Sequence, residues 1–214
     1  PKFVKRAGEI CEEFRAITET AGSAKPYCGL TVAILNAWGS LRSWQSHMVA
    51  HELWYQQIYS YQGILESLSG LAVNVRFISF DDFLKGVDRN IDVIINAGDA
   101  GTSYSGGEYW NNEKLVEAVR AWVREGHGFI GVGEPTAYQK NGRFFQLADV
   151  MGVDKELGFT LSEDKYNIEK KKHFITEDVG EKIDYGEGMK NVYALNGADV
   201  LDITYSGRFK RNVN

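Results

Sequence analysis

The sequence predicts an α/β protein built on a doubly wound parallel sheet. Within residues 29–133, four short runs of β-branched and aliphatic residues alternate with amphipathic segments. Apolar runs without polar alternation are typical of strands that are covered on both faces. Short connections between strands and helices favour right-handed crossovers, which place helices on both faces of one parallel sheet.

The predicted strands cover residues 31–35, 73–78, 91–95 and 128–132. A long helical pattern over residues 43–68 follows the first strand, and Gly70 is expected to end it as a C-cap glycine. Asp81 is the expected N-cap of a short helix that runs to residue 84. From about residue 165 the pattern changes, and short strands are predicted at residues 166–175, 191–195 and 200–205.

One further helix is predicted before the fourth strand. Asn112 is a plausible N-cap for it, and Leu115, Val119 and Trp122 share one face. Gly126 marks its end.

The first residues predict a separate amphipathic helix. Its apolar side chains recur at alternating spacings of four and three, at Phe3, Ala7, Ile10, Phe14 and Ile17. The chain begins at Pro1 without an initiator Met, which we interpret as a piece of a longer protein. A linker-like stretch at residues 22–29 places a boundary there. We therefore expect residues 1–28 to be a linker helix from a preceding domain and residues 29–214 to form one α/β domain.

Composition argues against several classes of partner. The 214 residues carry a formal net charge of −5 and no basic patch, so nucleic acid is not expected. No apolar run approaches the roughly 18 residues that span a bilayer, so we expect a soluble, cytoplasmic protein. Cys11 and Cys28 stand in unlike contexts and are expected to be ordinary thiols.

The residues after the first strand mark a candidate site. Ligands in open α/β sheets bind beyond the carboxyl ends of strands. The segment that follows this strand places four candidates there, Asn36, Trp38, Arg42 and Trp44. The alternative is a well-packed loop in which the tryptophans fill the core and the arginine is a surface charge.

Two glycine-containing loops are weaker candidates. The loop at residues 98–107, which contains Asp99 and Thr102, could let the backbone approach an anion, but it lacks a P-loop ending. A flexible, tightly turned loop is the favoured interpretation. In the stretch GVGEPT, Thr136 stands where a dinucleotide motif has its third glycine, and Pro135 is expected to start a helix.

Glu134 occupies a position with a known parallel. In class I glutamine-amidotransferase-like folds a Cys nucleophile sits on the sharp turn that ends such a strand. A carboxylate cannot replace that thiolate, and Cys11 and Cys28 both precede the first strand, so a Cys/His triad is excluded. A structural hydrogen-bond acceptor is favoured for Glu134 over a weak ligand contact. Tyr138, just beyond it, is a further contact candidate.

The pair His47 and His51 has a spacing that can bind zinc. Met48 stands where an HExxH motif has its general base, and no third ligand is evident. Packing and surface roles are therefore favoured, and no metal site is predicted.

Several long runs resemble one enzyme family. LNAWGSLRSWQSHMVAHELWYQQIYSYQGILESLSG, VRFISFDD, INAGDAGTSYSGG and GFIGVGEPTAY resemble the central α/β domain of bacterial lacto-N-biose phosphorylases, also called 1,3-β-galactosyl-N-acetylhexosamine phosphorylases. The closing run ALNGADVLDITYSG is similar to the end of the trimerisation domains of related β-galactosidases. Those domains share the amidotransferase-like fold without its nucleophile.

This resemblance implies a larger enzyme and assigns the chemistry elsewhere. The parent would contain an N-terminal TIM barrel, this domain and a C-terminal β domain, and would phosphorolyse galactosyl-β-1,3-N-acetylhexosamines to galactose 1-phosphate with inversion. The acid and the main sugar and phosphate contacts of the family belong to the barrel. No catalytic residue is therefore assigned to this chain, and no cofactor is expected. The alternative is a stand-alone module that binds sugars or anions.

Aromatic residues suggest an assembly surface. We expect some of them to face the barrel or a second subunit of a homodimer, because aromatic side chains are enriched in interface cores. The alternative is that these rings pack inside one domain. The candidates are Tyr55, Tyr59, Tyr104, Tyr109 and Trp110.

Overall fold

The computed structural model describes residues 2–22, 29–37, 54–155, 172–178 and 192–201, with the backbone alone for residues 54–60. Its helices are α1 (Lys2–Ala21), α2 (Trp54–Leu68), α3 (Phe80–Lys85), α4 (Glu113–Arg124) and α5 (Ala148–Met151). Its strands are β1 (Leu30–Asn36), β2 (Val73–Ser79), β3 (Val93–Gly98), β4 (Gly128–Gly133), β5 (Ala137–Lys140), β6 (Arg143–Phe145), β7 (Val153–Lys155) and β8 (Val192–Ala194). Two short 3₁₀ helices cover Gly107–Asn111 and Phe174–Thr176.

The main sheet has four parallel strands in the order β2-β1-β3-β4. Ile34 of β1 lies between Phe77 of β2 and Ile95 of β3, and Ile95 pairs in turn with Ile130 of β4. After β1 the chain forms β2 on one side of that strand, and it then forms β3 and β4 on the other side. The strand order therefore reverses between β1 and β3, which is the switch point of an open α/β sheet.

Both faces of the central strand β1 are covered, whereas Phe77 of β2 and Ile130 and Val132 of β4 are exposed. Ala33 and Leu35 face a core that includes Leu115 and Trp122 of α4. Val32 and Ile34 point the other way, into a second cluster that includes α2. The period of two along β1 thus divides its apolar residues between two layers of helix, which confirms the predicted α/β architecture.

Helix caps agree with the sequence at one position and not at another. The Asn112 side chain accepts a hydrogen bond from the Lys114 amide at 3.0 Å, which confirms the cap of α4. The Asp81 cap was wrong. Ser79 caps α3 instead, because its hydroxyl accepts from the Asp82 amide while the Asp82 carboxylate accepts from the Ser79 amide. The Ser79 hydroxyl and amide also hold the pKa of Asp82 below its ordinary value.

The chain after β4 departs from the prediction. Pro135 does not start a helix, because residues 137–145 form the β5–β6 hairpin, in which Ala137 pairs with Phe145. Thr136 adopts a left-handed backbone with φ 57°, which is incompatible with a helix at this point. The expected sharp turn is present, but a strand follows it instead of a helix.

The C-terminal strands are partly confirmed. β8 lies within the predicted residues 191–195 and pairs antiparallel with β7. The end of the predicted strand at residues 166–175 is wrong, because residues 174–176 form a 3₁₀ helix whose first turn is capped by His173. Val200 and Leu201 lie outside any strand, and the rest of that predicted strand lies outside the described residues.

The predicted N-terminal helix is present as α1. None of its residues is buried, and Cys11 on it is an exposed free thiol. Across the parts of the chain that the structure describes, no helix is long and apolar enough to cross a membrane.

Gly106 is a position where a side chain should be costly. Its φ is 105°, and a Cβ there would overlap the Phe80 ring and lie 2.7 Å from Trp110 Nε1. We expect Gly106→Ala to lower the free energy of unfolding by about 1–3 kcal/mol through overpacking, measured by urea unfolding. Gly101→Ala is the matched control, since Gly101 also has a positive φ but has no heavy atom within 4 Å of its added Cβ. Equal losses for the two variants would contradict the overpacking argument.

Candidate functional site

The candidate site lies at the carboxyl edge of the sheet, where β1, β3 and β4 end. The ends of β3 and β4 approach each other closely. The Glu134 amide donates to the Gly98 carbonyl at 2.9 Å, and a Cβ at Gly133 would lie only 3.1 Å from that oxygen. Gly133 also has φ 77°, so glycine is required for this approach.

Glu134 is a buried carboxylate with protein donors at both oxygens. The residue is 4% exposed. Its Oε2 accepts from the Ala100 amide at 2.9 Å, and its Oε1 accepts from Lys155 Nζ at 2.5 Å. Lys155 Nζ also lies 4.5 Å from the centroid of the Phe144 ring. The carboxylate thus joins β4, the loop after β3 and β7, which is a structural arrangement.

The loop after β3 is packed and internally hydrogen-bonded. The Asp99 carbonyl accepts from the hydroxyls of Thr102 (2.7 Å) and Ser105 (2.6 Å), and Thr102 is 3% exposed. The amides of Thr102 and Gly106 donate to carbonyls within the loop. The Ala100 amide already donates to the Glu134 carboxylate. The anion that this loop binds is therefore the side chain of Glu134.

The same loop occupies the switch point between β1 and β3. The Ala37 amide donates to the Ser103 carbonyl at 2.7 Å, and Asn96 Nδ2 donates to the Tyr104 carbonyl at 3.1 Å. The Tyr104 ring meets the Tyr61 ring edge-on at 4.1 Å. The crevice in which such sheets bind ligands is therefore filled, between these described residues, by the protein itself.

Tyr61 cannot serve as a phenolate base here. Burial raises the pKa of Tyr61 far above its ordinary value, and the neighbouring Tyr104 raises it further. The neutral hydroxyl donates to the Leu35 carbonyl at 3.3 Å. Burial likewise raises the pKa of Tyr104.

Two residues at this edge were missed by the sequence analysis. Asn96 is fully buried, and its Oδ1 accepts from the Thr136 amide at 2.8 Å, so it ties the loop after β3 to the turn after β4. A polar residue inside the apolar run of β3 was the available signal. Lys155 had no such signal, because its role depends on Glu134 lying beside it.

Of the remaining candidates, the structure describes only Asn36 and Tyr138. Asn36 is the last residue of β1, and its side-chain Nδ2 donates to the Ile78 carbonyl at 3.3 Å. Tyr138 packs against the larger core cluster, and its carbonyl accepts from Gln146. Trp38, Arg42 and Trp44 lie outside the described residues, as do His47 and His51. Among the described residues, no group of three His, Cys, Asp or Glu side chains is arranged to hold a metal ion.

Two of the five aromatic candidates for an assembly surface are packed inside the domain. Tyr104 and Trp110 are 7% and 1% exposed. Tyr109 is half-buried, stacks on Phe80 at 4.9 Å and donates its hydroxyl to Asp81. Three-dimensional packing against Phe80 and Tyr61 provides the burial that the sequence could not show. The side chains of Tyr55 and Tyr59 lie outside the described residues.

An open depression of about 530 Å³ lies away from these candidates. It is lined by Arg143, residues 149–152 and residues 195–198. Asp149 at its border forms an ion pair with Arg120 at 2.8 Å. The depression therefore belongs to the β6–β8 side of the molecule and shares no described lining residue with the carboxyl edge.

Comparison with known proteins identifies the family. A family model described as the lacto-N-biose phosphorylase central domain matches residues 31–212. The chain belongs to this family. Two 1,3-β-galactosyl-N-acetylhexosamine phosphorylases of Lachnoclostridium phytofermentans are 53% and 48% identical to this central domain, each over 94% of the chain and 28% of the relative.

Two further relatives show the range of the family. A 1,3-β-galactosyl-N-acetylhexosamine phosphorylase of Bifidobacterium longum is 57% identical over 84% of the chain and 24% of its own length. A D-galactosyl-β-1→4-L-rhamnose phosphorylase of L. phytofermentans is 35% identical over 92% of the chain. The central domain thus spans about a quarter of the length of the curated relatives it matches.

Proposed function

We propose that the chain is the non-catalytic middle domain of an inverting sugar phosphorylase. The parent enzyme converts a galactosyl-β-1,3-N-acetylhexosamine and phosphate to galactose 1-phosphate and N-acetylhexosamine. The observation that carries this proposal is the 53% identity to a phosphorylase of that specificity across nearly the whole chain. The match covers only 28% of that relative, which leaves room for a catalytic domain elsewhere in the parent.

The geometry of the sheet edge supports a non-catalytic role. Inverting phosphorolysis needs a carboxylic acid that protonates the leaving oxygen while phosphate attacks the opposite face of the sugar. Glu134 is buried against Lys155 and the Ala100 amide, so both of its oxygens already hold protein donors. It is therefore arranged to support the fold.

Phosphorolysis by the full-length parent tests the proposed function. The enzyme is supplied with lacto-N-biose, galacto-N-biose or galactosyl-β-1,4-rhamnose, each with and without phosphate. We expect phosphate-dependent release of α-galactose 1-phosphate from the two β-1,3-linked substrates, with the anomer identified by NMR. Release of the β anomer, hydrolysis to free galactose without phosphate, or turnover of the rhamnoside alone would overturn the proposal.

The predicted edge residues are proposed as contacts to substrate or to the neighbouring domain. These residues are Asn36, Trp38, Arg42, Trp44, Asp99 and Tyr138. Thr102 and Glu134 were also candidates from the sequence, but they are buried and hydrogen-bonded within the protein, and we assign them to the fold. The position beyond the carboxyl end of β1 supports the first four, since sites of α/β sheets gather there.

Arg42→Ala in the full-length enzyme tests this set. We expect kcat/KM to fall by about ten-fold or more, since a lost charge-assisted contact is worth roughly 1.5–3 kcal/mol. We expect the melting temperature to change less than the activity does. A loss of activity that follows unfolding alone would show that Arg42 is structural.

We further propose the architecture and setting of the parent. It contains an N-terminal TIM barrel and a C-terminal β domain, and residues 1–28 link the barrel to an amidotransferase-like domain at residues 29–214. The parallel order β2-β1-β3-β4 supports the last assignment. A cytoplasmic homodimer is proposed because Cys11 is a free thiol, which suits a reducing compartment, and because twofold assemblies are frequent.

A further inference from the structure

Helix α1 presents an apolar face that nothing described covers. It has 20 residues, none of them buried. Four large apolar side chains are strongly exposed: Phe3 at 83%, Val4 at 65%, Phe14 at 66% and Ile17 at 61%. Helices in proteins are stabilised mainly by packing an apolar face against other elements. With these side chains in water, α1 lacks that stabilisation.

The width of this face indicates the kind of surface it fits. Apolar and small residues occupy about three of every seven positions, whereas a two-stranded coiled coil needs about two. They are Phe3, Val4, Ala7, Ile10, Cys11, Phe14, Ile17, Thr18 and Ala21. The Thr18 hydroxyl donates to the Phe14 carbonyl at 2.8 Å, so Thr18 can be buried without an unsatisfied hydroxyl. A face of this width packs onto a globular domain rather than along one partner helix.

Several charged side chains of α1 form ion pairs with one another. Arg6 lies 3.1 Å from Glu9 and 3.7 Å from Glu13, and Lys5 lies 4.0 Å from Glu9. Exposed pairs of this kind contribute little to binding. The helix also carries equal numbers of acidic and basic residues, so it lacks the cationic face of a membrane-surface helix. Recognition must therefore come from the apolar face.

The position of α1 in the sequence indicates its partner. The family match to the central domain begins at residue 31, after α1. The match to one relative covers 94% of the chain, more than residues 31–212 can supply, so the similarity extends into the segment before residue 31. Because the chain covers 28% of that relative, most of the parent polypeptide lies outside the structure.

We propose that α1 packs its apolar face into an apolar groove on an adjoining domain of the same parent polypeptide. This inference rests on the proposed function, in which the chain is the middle of a longer phosphorylase. Covalent linkage supplies an effective concentration of the order of millimolar, so a single helix face is sufficient. A second copy would need an interface of about 1,200–2,000 Å² in total, which is large for one helix about 30 Å long.

Cys11 allows a direct test in the full-length protein. Its thiol lies on the apolar face, whereas Glu12 lies on the charged face. Alkylation by N-ethylmaleimide is followed by peptide mass spectrometry in the unmodified protein and in Glu12→Cys. We expect Cys11 to react at least about ten-fold more slowly than the thiol introduced by Glu12→Cys, because it reacts only when the helix undocks.

A second pair of variants checks that docking causes the protection. Phe14→Ser should bring the alkylation rate of Cys11 towards that of the control thiol, whereas Glu13→Ser should leave it unchanged. If Phe14→Ser does not fold, the comparison of Cys11 with the thiol introduced by Glu12→Cys still decides. Equal rates at the two thiols would overturn the proposal. Protection lost on dilution, together with a fall from dimer to monomer mass, would overturn it in favour of a second copy.

The same preparation separates this inference from the proposed function. If phosphorolysis is active and the two thiols react equally, only the proposed docking of α1 is overturned. Absent phosphorolysis with a protected Cys11 defeats the proposed function and leaves the docking in place.

Discussion

We expect Asp154→Ala to lower the free energy of unfolding by about 3–5 kcal/mol, the range for breaking a buried charged interaction. Asp154 is fully buried. Its Oδ1 accepts from the amides of Phe144 (3.2 Å), Phe145 (3.0 Å) and Lys155 (2.8 Å). Removing the carboxylate leaves these amides without their acceptor, and each buried orphan donor costs about 1–3 kcal/mol. Urea unfolding measures the loss.

Two controls sharpen this prediction. Asp154→Asn keeps one oxygen for the amides and should therefore cost less than Asp154→Ala. Asp88→Ala removes a carboxylate paired with Arg76 at an exposed site, and it should leave the unfolding midpoint nearly unchanged. A loss below about 1 kcal/mol for Asp154→Ala would show that the hairpin does not depend on this side chain.

We expect Glu134→Ala to cost about 3 kcal/mol, near the lower end for a broken buried pair. Its partner Lys155 is left with a side chain only 26% exposed, and the Ala100 amide loses its acceptor. The double variant Glu134→Ala with Lys155→Met should be more stable than the sum of the single losses predicts. The expected coupling lies within about 0.5–3 kcal/mol, measured by a double-mutant cycle in urea.

The cycle also separates the two interpretations of Glu134. Additive losses would show that Lys155 is not the partner that matters. A full-length Glu134→Gln enzyme that keeps its melting temperature but loses kcat/KM would place the carboxylate on a ligand instead. We expect the opposite result, in which Glu134→Gln lowers the melting temperature more than it lowers kcat/KM.

The sheet was predictable because its signals are local. The apolar runs that became β1 and β3, and the face of α4, depend on spacing within a single element. The caps depend on individual hydrogen bonds, which explains why Asp81 was predicted where Ser79 is the cap. A capping box requires a side chain on each side of the first turn, and both Asp81 and Ser79 are of cap-forming type.

The turn after β4 was not predictable, because its contacts are distant in sequence. Pro135 is compatible with a helix start, but Thr136 donates its amide to Asn96, 40 residues earlier, and accepts from the Gln146 amide. These bonds hold Thr136 in a left-handed conformation that costs about 1–2 kcal/mol for a residue with a side chain. The ion pair of Glu134 with Lys155 likewise joins residues 21 apart.

The division of labour within the parent enzyme is tested most directly by one assay. The 214-residue chain and the full-length parent are compared for phosphate-dependent release of galactose 1-phosphate from lacto-N-biose. We expect turnover by the full-length protein and none by the chain alone. Turnover by the purified chain near a typical enzyme rate of about 10 per second would contradict this expectation.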